Sequence, residues 1–291
     1  MVRRLDRVMV WGVRLWWAAM ALVAGPVLAD GLQGTSPAWR STASIGLWAL
    51  WAAVMVGVMV AHPMTLVLVR LAMLSAVVAL VWAGAGGADW GEVALVAAIT
   101  GGAAAVALSA PVGQVFVNGI SYGDEVRLLL RPPAVLLAGP LPAAAIVSVG
   151  GVVSGPLLLA GERWWLGGAV TVIGGVMAVF GMRSLHSLTR RWLVFVPAGV
   201  VLHDHLAVQD PVLLRRRAVS GVEPATHGSG ALDLSQGAAG LILEMTMSQP
   251  ITLTPPKRTK GQSGDVRANA ILVAPSRPGL TVTLAHHRRL V

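Results

Sequence analysis

The chain has 291 residues, 55% of them hydrophobic and 12% charged, with a mean hydropathy of +0.72 and a formal net charge of +9. Length alone suggests about two domains, but this composition excludes a soluble pair and describes a membrane protein. With no cysteine in the chain, disulfides, thiolate metal sites and thiol nucleophiles are excluded, and the redox compartment is left open.

A bilayer-crossing helix needs about 20 mostly apolar residues, and six stretches approach that standard. They are Val8 to Ala29, Ala43 to Ala61, Met64 to Gly84, Val93 to Val112, Ala134 to Ala160 and Trp164 to Met182. Pro140, Pro142 and Pro156 are expected to kink or shorten the fifth. A second reading of the start is open: Met1 to Arg14 is basic, Leu15 to Ala24 is a short apolar core, and Val27-Leu28-Ala29 has the form of a signal-peptide cleavage site.

Arginines set the expected orientation, because cytoplasmic flanks collect positive charge. Arg3, Arg4 and Arg7 precede the first span, Arg127 and Arg131 lie between the fourth and fifth, and Arg183, Arg190 and Arg191 follow the sixth. The opposite face carries Arg40 and Arg163 beside Asp30, Asp89, Glu92 and Glu162. Both termini are therefore expected in the cytoplasm. Trp39, Trp90, Trp164 and Trp165 fall near the outer boundary, where indole rings favour headgroups.

The stretch FVNGISYGDEVRLLLRPP, Phe116 to Pro133, interrupts this apolar pattern. Asn118-Gly119 and Tyr122-Gly123 are turn dipeptides, so the segment reads as a cytosolic loop. Asp124 and Glu125 are adjacent and diverge on a strand or a helix, a poor geometry for sharing a proton. The ordinary reading is a solvated charged turn. The functional alternative adds Arg14 and Arg70, each the seventh residue of a span that starts on the cytoplasmic side, about 9 Å below its end by the helical rise. Such cations seek carboxylates, so a cytosol-facing polar cluster of Arg14, Arg70, Asp124, Glu125 and Arg127, with His62 in a nearby turn, is expected.

Small residues at helical spacing, Gly151 with Gly155 and Thr171 with Gly175, read as helix packing positions. Gly84 to Asp89 superficially has the form of a nucleotide loop, but follows a span and lacks the strand-turn-helix setting.

After Met182 the composition changes: residues 183–291 carry 13 Lys and Arg against 6 Asp and Glu, with no further run long enough to cross. The expected organisation is a transmembrane domain over 1–182 and a small cytosolic domain over 183–291. WLVFV, Pro197-Ala198-Gly199 and VVLH read as a hairpin. Further strands are expected within Val212 to Val222, Leu241 to Thr254 and Ala270 to Ala274, with loops at Thr226 to Gly230 and Pro255 to Gly264. Pro278 suits the first turn of a terminal helix and the His286-His287-Arg288-Arg289 cluster its end, whereas Thr281, Val282 and Thr283 suit a strand. His203-Asp204-His205 reads as a polar turn, because three consecutive residues do not converge readily on one metal ion. Arg190, Arg191, Arg215, Arg216, Arg217, Lys257, Arg258 and Lys260 form an expected basic face for anionic lipid or a protein partner. Nucleic acid is disfavoured, since Trp192 and Phe195 are the tail's sole aromatics.

The segment RRWLVFVPAGVVLHDHLAVQDPVLLRRRAVSGVEPA, Arg190 to Ala225, resembles the opening strands of bacterial pleckstrin-homology-like domains attached to membrane spans. The resemblance covers about a third of the chain at most; it implies a bent antiparallel sheet closed by a C-terminal helix over Pro278 to Leu290. The Phe116 to Pro133 segment, followed by a proline-containing span and this tail, is similar to an uncharacterised family of polytopic membrane proteins of high-GC Gram-positive bacteria, a resemblance that implies no activity. The expected fold is thus an all-α bundle of about six transmembrane helices followed by a small mainly-β PH-like domain. The function expected is a membrane-held binding module without cofactor or metal, and the alternative is a transporter or intramembrane enzyme using the polar cluster.

Overall fold

The computed structural model describes residues 4–226, 228–256 and 264–290. It divides into two units. The helical unit comprises the chain up to Gly119 together with Leu141–His186; the β unit comprises Ile120–Pro140 together with the chain from Ser187.

Among the described residues, six helices are long and apolar enough to cross a membrane, which makes this a multi-pass membrane protein. They are α1 (Arg4–Gly31), α2 (Pro37–Met59), α3 (Pro63–Ala85), α4 (Trp90–Leu108), and, after two short helices, α7 (Pro140–Ala160) and α8 (Trp164–Leu188). The short ones are α5 (Ala110–Asn118) and α6 (Ala134–Ala138).

Local chemistry fixes the starts. Ser36 accepts a hydrogen bond from the Trp39 N–H and Asp89 one from the Glu92 N–H, while Pro37 and Pro63 sit in first turns where no amide donor is needed. On α1, Val10, Val13, Trp17, Met20, Ala24 and Val27 recur every three or four residues and are buried, the stripe of a packed helix. It packs against α2, α3, α4 and α5, with α3 the other central element.

The fourth expected span differs from the structure. Its helix ends at Leu108, Ser109 caps both α4 and α5, and Pro111 opens the new helix. The fifth is also shorter than expected. Gly139 separates α6 from α7, and the Ala134 N–H donates to the Gly237 carbonyl at 3.2 Å, tying α6 into the β unit.

Helices α7 and α8 approach through small residues. A Cβ on Gly151 would overlap the Gly174 carbonyl, and one on Gly155 would overlap Thr171; Gly175, expected in this contact, has open space around it. Ser148 and Ala144 meet Gly181 in the same seam.

Among the described residues, the β unit contains two four-stranded sheets. One has the order β1 (Val126–Leu129), β2 (Trp192–Val196), β3 (Gly199–His203), β4 (Val212–Arg215), all antiparallel. The other has the order β5 (Val219–Pro224), β7 (Leu243–Leu253), β8 (Val266–Val273), β6 (Leu232–Asp233), with β6 parallel to β8. The expected β2–β3 hairpin is present. Its Gly199 has φ +151°, where a side chain is strained, and a Cβ would strike the Leu214 carbonyl. The Val212 to Val222 run is two strands joined by a turn, and β7 shifts register around Ser248-Gln249-Pro250, where proline has no N–H to give. The terminal segment is helical, α9 (Pro278–His287). Its threonines tolerate this because Thr281 and Thr283 donate back to the Arg277 and Gly279 carbonyls at 3.0 and 2.8 Å.

Strand β1 comes from the interrupting segment. Val126, Leu128 and Leu130 alternate with Arg127, Leu129 and Arg131, and Leu128 and Leu130 enter the core with Leu193, Phe195, Leu202, Leu243, Met245 and Ile271. The strand pairs Arg127 with Val194 and Leu128 with Leu193. Beyond it, Leu130 donates to Arg191 and Arg131 to Ala274, while the Ser276 N–H donates to Leu129, so this end of the strand is joined to β2 and to the β8–α9 connection. The boundary expected at 182 is therefore corrected twice: α8 continues to Leu188, and the second domain begins with an insert between helices.

Candidate functional site

The residues expected in one polar cluster divide between the units, Arg14, His62 and Arg70 in the helical unit and Asp124, Glu125 and Arg127 in the β unit. In the helical unit, each arginine reaches main-chain carbonyls. Arg14 donates from Nε to Val58 at 2.8 Å and from Nη2 to Met59 at 3.5 Å, in the last turn of α2. Arg70 donates to Ala107 at 3.1 Å, Leu108 at 3.3 Å and Ser109 at 3.5 Å, at the end of α4. Each guanidinium meets carbonyls at the C-terminal end of a neighbouring helix and complements the negative end of its dipole. His62 is the N-cap of α3: Nδ1 accepts from the Met64 N–H at 3.1 Å, and its own N–H donates to Thr65 at 3.2 Å. Three residues on from Arg14, the Trp17 indole donates to the Trp51 carbonyl and the Trp51 indole to the Trp17 carbonyl, both at 3.0 Å. This reciprocal pair between α1 and α2 was not among the expected sites.

In the β unit, Asp124 is exposed, and its carbonyl accepts from Arg288. Glu125 pairs with Arg127 at 3.0 Å. The Arg127 guanidinium lies 5.2 Å from the Trp192 ring centroid, and Trp192 stacks on His203 at 5.4 Å. The series Glu125, Arg127, Trp192, His203 runs across β1, β2 and β3. His203 is held below its ordinary pKa of 6.5, first by burial, then by the charges of Arg190, His205 and Arg127 against the opposing effect of Asp204. Burial likewise lowers His205, with Arg191 and Arg190 adding to the effect and Asp204 opposing it.

One member of the expected basic face is corrected. Arg191 is buried, not displayed: Nε and Nη2 each meet an Asp204 carboxylate oxygen at 2.7 Å, and Nη1 donates to the Arg131 carbonyl at 3.1 Å. Both side chains of the ion pair are at most 1% exposed. Asp204 Oδ1 also accepts from the Leu206 N–H at 3.0 Å, so the expected turn at His203-Asp204-His205 is present around a buried ion. Among the described residues, no group of three or more His, Asp or Glu has an arrangement suited to a metal ion.

Arg190, Arg215, Arg216 and Arg217 are exposed. Arg216 donates to the Arg288 carbonyl and, at 3.2 Å, to that of Arg289, holding the end of α9. Lys257, Arg258 and Lys260 lie outside the described residues. Arg288, which sequence reasoning had treated as a helix-end charge, donates to the Phe195 carbonyl at 3.4 Å as well as to Asp124.

Comparison with protein-family models, with curated proteins and with solved structures gives no match.

Proposed function

We propose that the protein is a multi-pass component of a bacterial cell membrane whose helices hold a cytosolic, PH-like binding module, and that this module engages anionic lipid or a protein partner without performing chemistry. The observation that carries the reading is the β unit itself, a core of its own closed by α9 and displaying Arg190, Arg215 and Arg217 to solvent. The succession of an antiparallel four-stranded sheet, a second sheet and a terminal helix supports the pleckstrin-homology-like assignment. Arginine-rich flanks support placing it, with both chain ends, in the cytoplasm. A transport or catalytic site at Arg14 and Arg70 draws less support, since both guanidinium groups already serve as helix caps.

Affinity capture of the full-length protein from intact membranes tests this, with Arg215→Ala/Arg217→Ala as the control. The expected result is a lipid or protein species enriched on the unaltered chain. Identical recoveries from the two would count against the module. Cleavage of the β unit by protease added to sealed right-side-out vesicles would overturn its sidedness.

A further inference from the structure

The end of the β unit that α9 closes gathers arginines from three parts of the chain. Gly199 pairs with Arg215, and the Arg216 N–H donates to the Ala198 carbonyl at 2.9 Å, so the β2–β3 and β4–β5 turns lie side by side. Arg216 joins them to the end of α9, and Arg288 ties that end to Phe195 and Asp124. Two of these arginines are engaged in holding the structure together. Arg215, Arg217 and Arg289 are exposed around them, as are His286 and His287. The acids of the same end are Asp124, which is exposed, and Glu125, which is half-buried and paired with Arg127.

Arg289 carries a second observation. It adopts φ +51° immediately after the last turn of α9, and the Leu290 N–H donates back to the Ala285 carbonyl at 2.9 Å. This is the left-handed position at which helices ordinarily place glycine, because any side chain there is strained. An arginine at that position gives up stability and gains a guanidinium at the rim of the cluster.

We infer that Arg215, Arg217 and Arg289 form a surface for the phosphate groups of anionic membrane lipids. Guanidinium forks match phosphate oxygens, and each basic residue near an anionic leaflet shifts partition by about fivefold. Lipid is favoured over an acidic protein by the tether: five residues separate the end of α5 at Asn118 from Asp124 at this end, a span of at most about 22 Å. Headgroups are therefore present at high effective concentration. The inference rests on the cytosolic, membrane-held reading above and specifies the face and ligand.

The test uses the full-length protein in nanodiscs of phosphatidylcholine alone or mixed with phosphatidylglycerol, following amide exchange in the β4–β5 turn and the end of α9. Phosphatidylglycerol is expected to slow exchange at both segments. High salt, Arg215→Gln and Arg217→Gln should each reduce the effect, while Arg216 is left in place to hold α9. Arg289→Gly is expected to weaken the lipid response about fivefold and yet raise the melting temperature, a combination that a purely structural role does not produce. Equal exchange in the two lipids overturns the inference. So does protection given by soluble glycerol phosphate in phosphatidylcholine discs, which assigns the face to free phosphate, or protection that requires added membrane-extract proteins, which assigns it to an acidic partner. If phosphatidylglycerol instead protects the unit around Arg190 and the three substitutions change nothing, this face is wrong while the module reading stands. If neither lipid nor captured protein alters any segment, both fail.

Discussion

Arg191 and Asp204 show how one side chain departs from its sequence neighbourhood. Arg190 and Arg191 are indistinguishable by composition, yet one is exposed and the other meets a carboxylate at 2.7 Å in the core. Strand alternation carries the distinction: Arg191 shares the inward direction with Leu193 and Phe195 of the core. Removing one partner leaves an uncompensated buried charge, so Asp204→Ala is expected to destabilise the β unit by about 3–5 kcal/mol. The double replacement Arg191→Met/Asp204→Leu should cost less than either single change, as measured by denaturation midpoints. A pH effect follows from His203. Its folded pKa lies below 6.5, so as pH falls through that value the unfolded chain takes up the proton first and stability declines. His205 acts in the same direction. Thermal melts from neutral pH down to about pH 5 should show this acid-side decline, and His203→Phe, which retains a ring against Trp192, should reduce it.

Among the elements, the long helices were legible because twenty apolar residues have few alternatives, and the β2–β3 hairpin because its turn chemistry is local. Strand β1 was not read, although Val126, Leu128 and Leu130 alternate as a half-buried strand does. Turn dipeptides and four charges dominate the segment, and its partner β2 lies more than sixty residues away, beyond two membrane helices. The acceptors of the two span arginines were hidden for a related reason. A sequence shows that Arg14 and Arg70 need acceptors but does not show that helix-terminal carbonyls supply them. At the α7–α8 seam the structure separates two glycines that spacing had treated alike. Gly155→Val should impair folding of the hairpin, because its side chain would enter Thr171, while Gly175→Ala should be tolerated. Yield and melting temperature in detergent distinguish the two outcomes.

For the molecule as a whole, the consequence is topological. The α7–α8 hairpin is inserted between two hydrogen-bonded neighbours of one sheet, β1 and β2. A fragment of residues 190–291 alone lacks Leu128 and Leu130 from its core and leaves the β2 edge unpaired. It is expected to aggregate or remain unfolded. Joining residues 120–133 to 187–291 through a short flexible linker should instead give a soluble domain with dispersed NMR amide signals.

Cysteine pairing in the full-length, membrane-embedded protein tests the central claim, that the connector after α5 is a strand of the β unit, most directly. The natural chain has no cysteine to interfere. Arg127 and Val194 are register partners, and cross-strand Cα separations of about 4.5–5.5 Å suit a disulfide. With a protease site placed in the Gly161-Glu162-Arg163 turn, the Arg127→Cys/Val194→Cys protein should keep its two fragments joined after mild oxidation and release them on reduction. Val126→Cys/Val194→Cys, whose side chains take opposite faces, should not join them. Separation of the fragments in the first case, or equal joining in both, would contradict the account.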